Sequence, residues 1–212
     1  MQTLIRSAAL LVLVAGLLAV PAAAQETPAD AADQKPKQAE LGKPALDFEL
    51  PDLVGKKVKL SDAKGKIIVL EWFNPDCPFV IGSHSKGSLK GLAAGYLADK
   101  RKDVVWLAVN SGAPGKQGHD VEANKKGIEK FKLVNPILRD ESGRVGRLYG
   151  VKKTPTMVII DQLFNVVYWG GEDNTMALKR GEAEDHVNHV DQVIESLRKG
   201  EKPPVSKSKP FG

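Results

Sequence analysis

Apolar and polar positions alternate along the chain in patterns that predict a mixed α/β domain beginning at Leu41. Two continuous apolar runs predict buried strands, and two pairs of shorter runs joined by turn-forming residues predict β-hairpins. In chain order the predicted elements are a hairpin around 52–56, a strand at 67–73, a helix at 77–100, a strand at 103–110, a helix at 121–131, a short strand at 136–138, a helical turn at 144–149, a hairpin of 156–161 with 166–169, and a helix at 182–198. This order predicts a central mixed sheet flanked by helices, with an N-terminal β-hairpin.

The first 24 residues have the pattern of an export signal. Arg6 gives a positive start, residues 8–20 give an apolar core, and Ala22-Ala23-Ala24 gives a small-residue cleavage site. The apolar core is shorter than the roughly 20 residues that a membrane-spanning helix needs. We therefore expect cleavage after Ala24, no stable membrane anchoring, and a periplasmic or secreted mature protein.

Composition divides the rest of the chain. Residues 25–40 lack apolar periodicity and predict a disordered linker, residues 41–200 the folded domain, and residues 201–212 a flexible basic tail. The 212 residues carry a formal net charge of +5, and loss of Arg6 with the signal lowers it by one, to +4. Because no basic run is interleaved with aromatic residues, the charge predicts a solvated surface and no nucleic-acid partner.

The only cysteine of the chain lies between the first buried strand and a predicted helix start. The turn Asn74-Pro75-Asp76 precedes Cys77, and Pro78 suits the first helical turn, where no backbone N–H is needed. Unpaired N–H groups and the helix dipole favour a thiolate there, whereas the carboxylate of Asp76 opposes it. We predict a reactive redox thiol; the alternative is a small buried hydrophobic residue.

Four segments resemble the peroxiredoxin-like redoxins of the alkyl hydroperoxide reductase and thiol-specific antioxidant superfamily. They are residues 74–80 (NPDCPFV), 110–118 (NSGAPGKQG), 147–150 (RLYG) and 154–161 (TPTMVIID). The resemblance implies a thioredoxin-like fold and a thiol-disulfide oxidoreductase or antioxidant activity. Cys77 matches the first cysteine of the thioredoxin C-x-x-C motif, and Val80 stands in place of the second.

The resemblance does not extend to a peroxidase site. In peroxiredoxins the peroxidatic cysteine matches the position of Val80 and follows a threonine three residues earlier, where this chain has Cys77. A shifted register places Asn74 where threonine belongs and Leu70 where proline belongs. We therefore expect a single-cysteine redoxin whose mixed disulfide with a disulfide substrate is resolved by an external thiol, glutathione or a redox protein. A non-catalytic binding module and a one-cysteine peroxidase are the second and third hypotheses.

Further site residues follow from the same resemblance. Pro155, preceded by Thr154, resembles the thioredoxin cis-proline, whose loop packs beside the sulfur and offers backbone groups to an extended substrate; the alternative is a trans proline beginning an edge strand. Glu71 matches the buried carboxylate of thioredoxins, which can shuttle a proton; the alternative is a structural pair with a lysine. The predicted catalytic residues are Cys77 and Glu71, and the predicted substrate-binding residues are Asp76, Pro78, Thr154 and Pro155.

Three other motifs are interpreted as structural. His84 lies seven residues after Cys77, roughly 10 Å along a helix axis, and is predicted to be a surface residue. His186 and His189 are three residues apart on the predicted last helix, with no evident third ligand. Residues 112–118 lack the full phosphate-loop pattern and predict a turn-rich loop on the active-site side. No cofactor and no metal ion are predicted.

Overall fold

The computed structural model describes residues 38–211; the predicted export signal and most of the predicted linker lie outside them and stay predictions. The elements are β1 (Glu49–Pro51), β2 (Lys57–Lys59), β3 (Ile67–Trp72), α1 (Pro78–Ser85), α2 (Leu92–Ala98), β4 (Val104–Asn110), α3 (Val121–Phe131), β5 (Ile137–Arg139), α4 (Arg144–Leu148), β6 (Thr156–Ile160), β7 (Val166–Gly170), α5 (Thr175–Lys179) and α6 (His189–Arg198). Within this part of the chain, no helix has the length and apolar character that a membrane crossing requires.

A five-stranded mixed sheet has the order β5-β4-β3-β6-β7. Strand β4 runs parallel to β3 and β5, whereas β6 runs antiparallel to β3 and β7. The hairpin β1–β2 forms a separate antiparallel sheet. Every residue of the central strand β3 is buried, which explains why Glu71 is the one polar residue in an otherwise apolar strand. The predicted central mixed sheet with an N-terminal hairpin is confirmed.

Strand β3 contributes to the cores on both faces of the sheet, because successive side chains of a strand point in opposite directions. Leu70 and Trp72 pack in the core that also contains residues of the N-terminal hairpin and of α4. Ile67 and Val69 pack with residues of α2 and α6. Phe73, directly after β3, packs with residues of α1 and α3. These contacts fix the end of β3, where the chain turns into α1.

The helix predicted over residues 77–100 is wrong, because the chain forms two helices, α1 and α2, with a turn between them. The N–H of Gly87 bonds to the carbonyl of Gly82 at 3.0 Å and ends α1. A Cβ atom on Gly87 would lie only 2.8 Å from Cα of Ser83, so this turn requires glycine. Gly91 then begins α2 at a φ of +69°, a conformation that glycine adopts easily. These two glycines are the sequence signal for the break.

The last helix begins later than the predicted range 182–198. The side chain of Asn188 accepts a hydrogen bond from the N–H of Asp191 at 3.0 Å, which caps α6 at its first turn. The residues before Asn188 instead pair with the loop that follows β7. His186 therefore precedes α6 and does not share a helical face with His189. The short helix α5 was not predicted.

Part of the predicted flexible tail is hydrogen-bonded to the sheet. The N–H of Trp169 in β7 bonds to the carbonyl of Ser206 at 3.0 Å, and the N–H of Ser208 bonds to the carbonyl of Trp169 at 3.2 Å. The ring of Phe211 then lies 6.4 Å from the ring of Phe79 in α1. This segment extends the sheet edge and returns toward α1, whereas the flexibility of residues 201–212 stays a prediction.

Candidate active site

Cys77 is the N-cap residue of α1 and is partly exposed. Its backbone N–H bonds to the carbonyl of Asn74 at 3.1 Å, which closes the turn after β3. Its Sγ donates a hydrogen bond to the carbonyl oxygen of Thr154 at 3.3 Å. The Thr154–Pro155 peptide bond is cis, as predicted. The structure therefore places the sulfur between the start of α1 and the loop that leads into β6.

The turn before the cysteine is held by the loop after β4. The side chain of Asn74 accepts the N–H of Asp76 at 3.0 Å and donates to the carbonyl of Gln117, also at 3.0 Å. Gly118 permits this close approach, because a Cβ there would collide with the Asn74 side chain. Asp76 and Pro78 are exposed on either side of the cysteine. The predicted turn-rich loop thus lies on the active-site side, as expected.

Glu71 lies on β3 behind α1 and is only 1% exposed. One carboxylate oxygen lies 2.6 Å from Nε2 of His84, and the other accepts the indole N–H of Trp106 at 2.9 Å. The partner of Glu71 is therefore a histidine and not the lysine considered from the sequence. The prediction of a surface position for His84 is wrong, because this side chain is 5% exposed and faces the sheet.

The charge state of His84 follows from its two neighbouring carboxyl groups. Burial by itself lowers the pKa of His84, because it disfavours the charged imidazolium. The carboxylate of Glu71 outweighs burial through its charge and its hydrogen bond, and the charge of Glu172 adds to it. The net result is a pKa above the ordinary histidine value, so the Glu71–His84 contact has the character of a buried ion pair.

A second buried carboxyl group, Glu172, contacts α1 from the loop after β7. Its Oε1 accepts a hydrogen bond from the hydroxyl of Ser83, and its Oε2 has no partner among residues 38–211. Burial raises the pKa of Glu172 to about 7, the Ser83 bond opposes this rise, and the charges of Asp173 and Glu71 add to it. Glu172 was not predicted as a site residue; its position soon after a buried strand is the one signal in the sequence.

Asp173 forms a separate polar cluster beside Glu172. It accepts a hydrogen bond from the hydroxyl of Ser88, and Nε2 of His186 lies 3.2 Å from the same carboxylate oxygen. Nε2 of His186 also lies 3.0 Å from the Ser88 hydroxyl. Because serine and aspartate meet the same ring nitrogen, this histidine cannot relay a proton between them as in a hydrolytic triad. Within 38–211, no three His, Cys, Asp or Glu side chains form a metal-binding group.

The structure thus brings five of the predicted site residues to one end of β3, while Glu71 lies behind α1 with both oxygens engaged. The five are Asp76, Cys77, Pro78, Thr154 and Pro155. A thiol at the first helix after a central strand, facing a cis-proline loop on a mixed sheet, defines a thioredoxin-fold redoxin. The sequence profile of the AhpC/TSA family matches residues 41–169, and the chain belongs to that family.

Individual relatives agree with this class. The thiol-disulfide oxidoreductase ResA of Bacillus thuringiensis is 29% identical over 128 residues, which are 60% of this chain and 68% of that protein. An uncharacterized conserved protein from Geobacillus kaustophilus has a solved structure with a TM-score of 0.66 at 28% identity, covering 82% of this chain and 94% of its own. A Chlorobium tepidum structure described as thiol:disulfide interchange protein DsbE has a TM-score of 0.54 at 24% identity, with 77% and 98% covered, and supports the fold.

Proposed function

We propose that this protein is an exported thiol-disulfide oxidoreductase that acts through the single thiol of Cys77. The observation that carries the proposal is the 3.3 Å hydrogen bond from Sγ of Cys77 to the carbonyl of Thr154, which joins a helix-start sulfur to a cis-proline loop. The ResA relative is named for this activity. Export rests on the sequence pattern of residues 1–24, which lie outside the described part of the chain.

The proposed reaction has two exchange steps. The thiolate of Cys77 attacks a substrate disulfide; a bond forms between Sγ and one substrate sulfur, the substrate S–S bond breaks, and the other sulfur leaves as a thiolate that takes up a proton. An external thiolate then attacks the substrate sulfur of this mixed disulfide and releases Cys77 as a thiolate. Because the chain has one cysteine, the second thiol comes from outside, from glutathione or a redox protein.

The residues around the sulfur supply binding and electrostatic stabilisation in this proposal. The N-terminal end of α1 stabilises the attacking thiolate through its N–H groups and dipole. The backbone of Thr154 and Pro155 lies beside the sulfur, where an extended substrate can pair with it. Asp76 and Pro78, both exposed, flank the approach to the sulfur and contact the substrate on that side.

We assign Glu71 a supporting role in preference to proton transfer with Cys77. Its two oxygens are engaged by His84 and Trp106, so an exchange of protons with the sulfur would break one of these contacts. The same contacts tie α1 to β3 and β4 and so fix the position of the helix that carries Cys77. The proton-shuttle hypothesis for Glu71 is the weaker one on these contacts.

The test uses the mature chain, residues 25–212, mixed with oxidised glutathione. Intact-mass measurement is expected to show one glutathione adduct on the wild-type protein and none on Cys77→Ser, and reduced glutathione in excess is expected to remove it. Absence of the adduct would favour the binding-module hypothesis. Rapid peroxide consumption with a thiol reductant, lost in Cys77→Ser, would favour the one-cysteine peroxidase.

A further inference from the structure

A cavity of about 680 Å³ lies between α1 and α5, within the size range of small-ligand sites. Three large apolar side chains line it, Phe79 from α1, Met176 from α5 and Phe211 from the C-terminal segment, together with the ring of Pro78. Glu172 and Asp173 line it as well. The cavity opens beside the first residues of α1, next to the turn that carries Cys77, but it is not needed for the exchange steps proposed above.

The cavity wall contains a carboxyl oxygen without a partner. Glu172 is 1% exposed, and its Oε1 is occupied by the hydroxyl of Ser83, which also lines the cavity. Its Oε2 meets no hydrogen-bonding group in the described range 38–211. A buried oxygen of this kind is costly unless a donor reaches it. Glu172 lines the cavity, so a ligand that binds there lies next to the residue whose oxygen lacks a donor.

The charges around the cavity favour a cationic donor. Glu172 and Asp173 are both buried, where electrostatic interactions are strong, and the bonds that Asp173 accepts hold its pKa below the ordinary value against the opposing effect of burial. The basic groups Lys86 and Lys179 are exposed at the rim, so water and salt screen their charges. The interior therefore favours a positive group, and the three apolar side chains favour a hydrocarbon stem behind it.

We propose that this cavity binds a primary amine carried on an apolar stem. The ammonium group bonds to Oε2 of Glu172, with Asp173 nearby, and the stem packs against Phe79, Met176 and Phe211. Two sources share this chemistry: a free arylalkylamine and the lysine side chain of a polypeptide. The cavity shares Pro78 with the proposed substrate approach, but the amine contacts involve neither Sγ of Cys77 nor the cis-proline loop, so amine binding is tested separately from the redox function.

Binding of the amine depends on the ionisation of Glu172. Since burial holds the pKa of this carboxyl at about 7, affinity rises as the pH increases through that value and levels off above it. The titratable and charged groups around the carboxyl are Glu71 on β3, His84 and Lys86 on or after α1, Tyr168 on β7, Asp173 in the same loop, Lys179 on α5, His186 before α6 and His189 at the start of α6. Of these, His84 is itself paired with Glu71, so its titration changes the field at the cavity indirectly.

The experiment titrates the reduced mature chain with 2-phenylethylamine and, separately, with 3-phenylpropionate, which carries an acid on a similar stem. The carbon resonance of the Glu172 carboxyl and the methyl resonance of Met176 report binding. The amine is expected to shift both resonances and the acid neither. Glu172→Gln is expected to weaken amine binding roughly tenfold or more, since charge-assisted hydrogen bonds are the strong ones. Glu201→Gln, at an exposed position, is the matched control and is expected to leave affinity unchanged.

Two further measurements complete the test, one with a lysine peptide and one with a variant of the apolar wall. A blocked Leu-Lys-Leu tripeptide, compared with the same peptide containing norleucine, distinguishes a lysine side chain from a free amine as the source. Met176→Asn removes apolar wall without touching the buried carboxyl and is expected to weaken binding severalfold even if Glu172→Gln folds poorly. Equal affinity for the amine and the acid, unchanged affinity in Glu172→Gln, or no shift with any amine probe would overturn the proposal.

Discussion

The two sides of α1 carry opposite kinds of chemistry. At its N-terminus, Cys77 is partly exposed, and within residues 38–211 its sulfur makes one hydrogen bond, to Thr154. On its inner side, Ser83 and His84 are buried, and each contacts a buried carboxyl group. The first region is open to reactants, whereas the polar groups of the second are enclosed and mostly hydrogen-bonded to each other.

This contrast indicates a division of labour along one short helix. Exchange chemistry needs a sulfur that a second molecule can reach. The buried polar groups hold the helix against β3 and β4, and breaking a buried pair is far more costly than losing one surface contact. Changes on the inner side should therefore act on stability, and changes at the N-terminus should act on reactivity.

The largest expected effect comes from breaking the buried Glu71–His84 pair on the inner side of α1. His84→Leu leaves Glu71 buried with only the Trp106 indole as a partner, and removal of one member of a buried pair costs about 3–5 kcal/mol. The double variant Glu71→Leu/His84→Leu is expected to recover a large part of that loss, because no charge is left unpaired. Urea unfolding measures both. Cys77→Ser, the comparison at the N-terminus, should change the free energy of unfolding by less than roughly 1 kcal/mol.

An intermediate effect is expected from pH. The pKa of Glu172 is raised from its ordinary 4.5 to about 7, so the folded protein binds a proton more tightly than the unfolded chain. Its contribution to stability is complete below pH 4.5 and is lost as the pH rises to about 7. A shift of this size corresponds to roughly 3 kcal/mol. Glu172→Gln should flatten the plot of the free energy of unfolding against pH between these two values. An unchanged slope in this pH range would contradict the assignment.

His84 also contributes stability that is lost as the pH rises, but at higher pH than Glu172. Its raised pKa gives stability that is complete below the ordinary histidine value of 6.5 and is lost as the pH rises through the value in the folded protein. The double variant lacking both members of the inner pair should lose this contribution while keeping that of Glu172. The same pH series of unfolding measurements separates the two.

The smallest effect is expected at the C-terminal segment, away from both sides of α1. The hydroxyl of Ser208 lies 2.7 Å from that of Tyr168 and accepts the N–H of Gly171 at 2.9 Å. Ser208→Ala removes these bonds and should cost about 1–2 kcal/mol, since a buried donor loses its partner. Ser206→Ala is the matched control, because Ser206 contributes its backbone carbonyl to the pairing with β7. Equal losses in the two variants would exclude a specific role for the Ser208 hydroxyl.

The N-terminal side of α1 could be predicted from sequence because its signals are local. The turn, Cys77, Pro78 and the distant Thr154-Pro155 motif are each recognisable within a few residues, and the fold brings the two segments together. The strands were predictable for the same reason, since β3 and β4 are almost entirely apolar runs.

The inner side could not be predicted because its partners are far apart in sequence. Ser83 and Glu172 are 89 residues apart, and nothing in the neighbourhood of either one indicates the other. His84 lies among residues of mixed character, so its burial depends on how α1 packs on β3. The end of α1 was also missed: Gly87 and Gly91 mark the break in the sequence, but the close contact of Gly87 with Ser83 that requires glycine appears only in three dimensions.

The most direct test of the central claim compares wild type with Val80→Cys after each has formed a mixed disulfide with glutathione. Val80 is fully buried one helical turn after Cys77, where a second thiol could attack the adduct. With unbound thiol removed, the wild-type adduct should persist and the Val80→Cys adduct should clear itself, leaving an internal disulfide, whereas Val80→Ala should behave as wild type. A wild-type adduct that clears itself without added thiol would contradict the account, because the chain has no second cysteine to release it.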